Sequence, residues 1–92
     1  MFIFFNMDFS NKTALITGGS KGIGYGIALI MIKKGMNVAV TSRTQKAANT
    51  AARQLNDLGK GIAIGVAMDV RSYKDQEKAV AKTIKAFGTL DI

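Results

Sequence analysis

The chain has 92 residues, with no cysteine, proline or histidine, and 48% of them are apolar. That is the composition of one small globular unit with a thin core, and it excludes a disulfide framework, a thiolate nucleophile and cysteine or histidine metal sites. Thirteen Lys and Arg against six Asp and Glu give a net charge of +7, which favours phosphate-bearing or acidic partners without selecting one.

The opening Met1-Phe2-Ile3-Phe4-Phe5 has no basic flank, is shorter than the apolar core of a signal peptide, and is followed by polar residues. It reads as a lead-in to the first strand, with Met7 as an alternative start. No apolar run approaches the roughly 20 residues needed to span a bilayer, so neither export nor a membrane role is expected, and the cytoplasm is the default location. Thr13 to Thr17 is a short apolar run ending in glycine, as expected of a strand buried on both faces. Ile23, Ile27, Ile30 and Met31 then recur at helical spacing until Gly35, with Lys33 and Lys34 at the end that favours cations.

Met36 to Thr41 repeats the buried-strand composition, and Ala47, Ala48, Ala51, Leu55 and Leu58 mark a second amphipathic helix stopped at Gly59. Gly61 to Met68 reads as a third strand. Ser72, with Asp75 three residues later, predicts an N-cap for a helix running through Phe87 and ending at Gly88. Leu90-Asp91-Ile92 has the pattern of a fourth strand opening beside the first. The alternation predicts an α/β fold, the N-terminal part of a Rossmann doubly wound parallel sheet (β-α-β-α-β-α and the start of a fourth strand), over a single partial domain 1–92.

Between the first strand and first helix lies Thr17-Gly18-Gly19-Ser20-Lys21-Gly22-Ile23-Gly24. A strand ending in glycine and a helix beginning in glycine set free backbone N–H groups where a pyrophosphate can sit. Gly18 permits the tight turn, Gly22 the close approach of phosphate, and Gly24 close packing of helix on strand. NAD sites usually carry an acidic residue at the tip of the second strand to hold the ribose hydroxyls. Here the tip reads Thr41-Ser42-Arg43-Thr44, and a guanidinium there suits a 2′-phosphate, so NADP(H) is expected over NAD(H). Lys21 offers a second cation, or is a solvated loop lysine. Arg43 is alternatively a surface arginine, with Ser42 or Thr44 merely capping the next helix. Asp69 is read as an adenine-side contact or as a turn carboxylate.

These residues resemble the short-chain dehydrogenases/reductases, whose Thr-Gly-x-x-x-Gly-x-Gly signature is met by Thr17 to Gly24. The similarity extends over Asn11 to Ile16, Ser42-Arg43, Asp69-Val70 and Phe87 to Ile92, and its texture is similar to the 3-oxoacyl-carrier-protein reductases and related sugar and steroid-type reductases. The resemblance implies hydride transfer between NADPH and a carbonyl or alcohol. It also implies cofactor-binding roles for Gly18, Ser20, Lys21, Gly22, Ile23, Gly24, Arg43, Asp69 and Val70, with Ile23 toward the nicotinamide. It implies a homo-oligomeric full-length form that alone would take the small carbonyl or alcohol substrate.

The family's later Asn-Asn-Ala-Gly, Ser and Tyr-x-x-x-Lys have no counterpart in these residues. Tyr25 is followed four positions on by Leu29 and Tyr73 by Glu77, so neither has a lysine to lower its phenol pKa. Both tyrosines are expected to pack as amphipathic aromatics on helices. Asp75 and Glu77 lie on different helix faces and form no acid-base pair. No catalytic or metal residue is therefore assigned, and the chain is expected to be inactive alone and marginal in stability, with the first strand's central edge unpaired. Its expected nature is the N-terminal part of an enzyme. The alternatives are a stand-alone nucleotide-binding module paired with another chain or, against the glycine loop and the scarcity of stacking aromatics, a nucleic-acid-binding module.

Overall fold

The computed structural model describes residues 11–20, 22–58 and 61–92. The readings of the opening residues, Met7, Lys21 and Gly59 lie outside the described residues. In chain order the elements are β1 (Thr13–Ile16), α1 (Gly22–Lys33), β2 (Asn37–Ser42), α2 (Gln45–Leu58), β3 (Ala63–Ala67) and α3 (Tyr73–Phe87). The strands form one parallel sheet in the order β1-β2-β3, with Thr13 opposite Asn37 and Val38 opposite Ala63. This is the arrangement expected of the N-terminal Rossmann half.

A core of Ala14, Val38 and Val40 from the sheet meets Ala28, Met31 and Ile32 of α1 and Ala51, Ala52 and Leu55 of α2 on one face. On the other face, Ala79 of α3 packs with Ala39, Val66 and Met68. The buried side of α1 matches the expected one in part: Met31 is buried and Ile27 packs half-buried against the core, but Ile23 is 83% exposed and Ile30 49%, while Ala28 and Ile32 are buried in their place. The reason is that α1 is apolar nearly all round, so periodicity cannot select a face; contact with the sheet does. In α2, Ala48, Ala51 and Leu55 are buried as expected, but Leu58 is exposed at the last turn.

The helix ends follow their local chemistry. Thr44 Oγ1 accepts the Ala47 N–H at 3.2 Å, and Ser72 Oγ accepts the Asp75 N–H at 3.2 Å. Gly35 and Gly88 close α1 and α3 at φ 85° and 83°, in the left-handed region. Asp75 does not reach back to the Ser72 N–H; its Oδ2 accepts the Asp69 N–H at 2.9 Å, tying the end of β3 to α3.

Both open edges of the sheet are partly closed by neighbouring chain. Beside β1, Asp91 and Ile92 form no regular strand, yet the Leu15 N–H donates to Ile92 O at 2.9 Å and the Asp91 N–H to Thr13 O at 2.9 Å. Asp91 Oδ2 also accepts the Thr13 N–H at 3.0 Å. The expected bare edge is thus bonded at Thr13 and Leu15, while Leu15 and Ile16 stay half-buried rather than covered on both faces. Along β3, the alternate residues facing away from β2 are met by side-chain amides of α2. Asn56 accepts the Ala63 N–H at 2.7 Å and donates to Ala63 O at 2.9 Å; Gln45 donates to Gly65 O at 2.8 Å and accepts the Ala67 N–H at 3.1 Å. Gly65 permits this approach, since a Cβ there would lie 2.5 Å from the Ala48 backbone.

Candidate functional site: the glycine loop and the tip of the second strand

The loop between β1 and α1 turns on Gly18 and Gly22, at φ 64° and 65°, which L side chains rarely adopt. Apart from the adjoining residues, no atom of the described residues lies within 4 Å of a Cβ built on either glycine, so backbone conformation and not crowding demands glycine there. At Gly24 the demand is contact: a Cβ would sit 2.6 Å from Gly18 O, which is the close packing of helix on strand that the spacing predicts. Gly19 carries a requirement that motif spacing does not reveal, because its Cβ would meet Val40 Cγ1 at 2.9 Å.

The loop is tied to the end of β2. The buried Thr41 hydroxyl donates to Ile16 O at 3.3 Å and accepts the Gly18 N–H at 3.2 Å, and Thr41 O accepts the Gly19 N–H at 3.1 Å. Sequence reading placed Thr41 in the strand and gave it no role; a lone polar residue closing an apolar run was the available signal. Where β1, β2 and β3 end, a cleft of about 280 Å3 is lined by Gly18, Ser20, Thr41, Arg43, Met68 and Val70, among others. A second, of about 430 Å3, runs between the loop and α2 past Thr44, Lys46 and Thr50, and the two share Ser20. Ile23 and Gly24 border a different hollow, with Ile16, Ile27 and Ile92 beside β1. The predicted site residues therefore divide between two sides of the loop, with Arg43 and Val70 on one and Ile23 on the other.

Asp69 follows β3, but its carboxylate is already engaged. Oδ1 accepts the Arg71 backbone N–H at 2.9 Å and Nε at 3.2 Å, and Oδ2 accepts Nη2 at 3.1 Å. These side-chain bonds, then the backbone bond, hold the Asp69 carboxyl below its ordinary value of 3.8, with a weaker pull from the charge of Arg43. Of the two tyrosines, Tyr25 packs against the core as expected, whereas Tyr73 is 74% exposed. Its place directly after the Ser72 cap puts it on the outward side of the first turn. Among the described residues no helix is long and apolar enough to cross a membrane.

A parallel sheet with crossover helices and a glycine turn at the carboxyl end of its first strand defines a Rossmann-type α/β unit. Its sequence matches the short chain dehydrogenase family over residues 12–92, and the chain belongs to that family. It is 36% identical over 83 residues to a peroxisomal 2,4-dienoyl-CoA reductase of Danio rerio, covering 90% of this chain and 28% of that protein. To a 3-oxoacyl-(acyl-carrier-protein) reductase of Chlamydia muridarum it is 37% identical over 83 residues, covering 89% and 33% respectively. The structure superposes on an L-sorbose reductase from Gluconobacter frateurii, solved with NADPH and L-sorbose, at TM-score 0.84 and 33% identity, covering 92% of this chain and 33% of that one. The chain thus spans about a third of the length of these relatives.

Proposed function

We propose that this chain is the NADP(H)-binding N-terminal part of an oxidoreductase that moves hydride between NADPH and a carbonyl or alcohol substrate. The observation that carries the cofactor choice is Arg43, which lines the same cleft as Gly18 and Ser20, with no carboxylate among the described residues of that lining. A guanidinium there attracts a 2′-phosphate that an acidic side chain would repel. The nearest carboxylate along the chain on the β3 side, Asp69, is bonded to Arg71, and its charge interaction with Arg43 is the weaker of the two.

The residues divide the cofactor between them. The turn at Gly18 and Gly22 aims backbone N–H groups at the pyrophosphate, and the Ser20 hydroxyl and Lys21 add a hydrogen bond and a charge beside it. Arg43 holds the 2′-phosphate, Asp69 and Val70 flank the adenine, and Ile23 borders the nicotinamide end. When bound, the nicotinamide supplies or accepts the hydride. The proton-transfer groups of the family, a Ser and Tyr-x-x-x-Lys, are not in this sequence, so the reaction and an oligomeric assembly belong to a longer form, and this chain alone is inactive. The cysteine-free composition accords with a reducing, cytoplasmic location.

The test is titration of the chain with NADPH and NADH, before and after Arg43→Ala. A charge-assisted contact contributes ~1.5–3 kcal/mol, so NADPH affinity is expected to fall about 10-fold or more with little change for NADH. Equal loss for both cofactors overturns the 2′-phosphate role.

A further inference from the structure

The β2 strand is apolar at Val38, Ala39 and Val40 and then presents Thr41, which is 1% exposed. A buried hydroxyl is unfavourable unless bonded, and both bonds of this one reach across to the end of β1 and the loop that follows. The hydroxyl accepts from Gly18 and donates to Ile16, while the backbone carbonyl of the same residue takes the Gly19 N–H. Pairing of β1 with β2 therefore continues past the last strand residue, Ile16, to Gly18 and Gly19 of the turn. The Gly18 and Gly19 N–H groups are thereby turned back into the sheet, while Ser20 is half-buried and Gly22, at the start of α1, is exposed. Val40 beneath Gly19 closes the same joint from below, 2.9 Å from where a Cβ would stand.

We propose that Thr41 is a positioning residue for the cofactor loop: its hydroxyl sets the turn that leaves the N–H groups at the start of α1 free for a pyrophosphate. This rests on the reading that the loop holds a dinucleotide, and it adds a residue whose hydroxyl is spent on the backbone of the loop and of β1. Because the pyrophosphate is common to both dinucleotides, loss of the Thr41 hydroxyl weakens NADPH and NADH alike, whereas loss of Arg43 acts on NADPH.

Two substitutions separate the hydroxyl from the shape. Thr41→Val keeps the volume and removes both side-chain bonds; Thr41→Ser keeps the hydroxyl and removes the buried methyl. NADPH and NADH are titrated against each full chain by nicotinamide fluorescence, and thermal unfolding is followed in parallel. The expected result is a loss of about 10-fold for both cofactors in Thr41→Val, and binding within about threefold of wild type in Thr41→Ser despite a lower unfolding temperature. A folded Thr41→Val chain that binds as tightly as wild type overturns the proposal. So does a folded Thr41→Ser chain that loses as much as Thr41→Val. Where Thr41→Val does not fold, Thr41→Ser decides: near-wild-type affinity supports the role and a tenfold loss ends it. A wild-type chain that binds neither dinucleotide overturns the reading of the loop itself, a result separate from any contrast among the Thr41 variants.

Discussion

Single residues of the loop separate two kinds of glycine. Gly18 and Gly22 are needed for their backbone angle, Gly19 and Gly24 for the space their missing side chains leave. Gly24→Ala drives a methyl against Gly18 O, a backbone atom that cannot swing away. The expected cost is ~1–3 kcal/mol in denaturant unfolding, the usual range for forced overpacking. Gly26→Ala, on the same helix with open space around its Cβ, is the control; it is expected to stabilise by ~0.4–1 kcal/mol. At Asp69 the sign of the pH effect follows from its lowered pKa. The contribution of the Asp69–Arg71 pair is fully present above the ordinary carboxylate value of 3.8 and is lost as pH falls through the lower folded value. Urea midpoints of wild type and Arg71→Ala should therefore converge on acidification below 3.8, with a small difference above it because the pair is exposed.

At the scale of elements, α3 tests capping and α2 tests edge protection. Ser72→Ala removes the acceptor of the Asp75 N–H and is expected to cost ~1 kcal/mol, read from the shift in denaturant midpoint. The amides of Gln45 and Asn56 occupy the places where a further strand would bond to β3. Replacing both with alanine uncovers those groups, and sedimentation velocity is expected to show concentration-dependent self-association that the parent chain lacks. An unchanged sedimentation coefficient across concentrations would show that the amides stabilise α2 on β3 without guarding the edge. The kinds and order of the six elements were legible in the sequence because apolar runs, caps and closing glycines are local signals; the strand ends were not, since the third strand, read over Gly61 to Met68, is Ala63–Ala67. The face on which α1 lies was not, because Ile23, Ile30, Ala28 and Ile32 are all apolar and only packing distinguishes them.

For the whole molecule, the apolar hollow beside β1, bordered by Ile16, Ile23, Ile27 and Ile92, leaves hydrocarbon in contact with water. Exposed apolar area of this kind lowers the net stability of a chain of 92 residues, whose core is small to begin with. A ligand that binds only the folded state offsets this by mass action. NADPH at a hundredfold excess over its dissociation constant is expected to add ~2.7 kcal/mol, seen as a rise in unfolding temperature. NADH at the same concentration should give a smaller rise, and Arg43→Ala should bring the two together.

The sequence by itself determined the element order, the parallel Rossmann topology, the position of the glycine turn and the cation at the tip of β2. Each of these is written in neighbouring residues, through backbone freedom, hydrophobic period or the charge next to a strand end. Only the tertiary structure decided that Thr41 ties the turn to the sheet and that Asn56 and Gln45 cap the edge of β3; the Asp69–Arg71 pair, two residues apart, is the local turn that the sequence offered as one of two readings of Asp69. The Thr41 bonds join residues 23 and 25 positions apart, and the Gln45 bonds span 20 and 22. Nothing in a local pattern selects such partners; they meet because a right-handed crossover lays one strand beside another and brings its polar atoms within bonding distance.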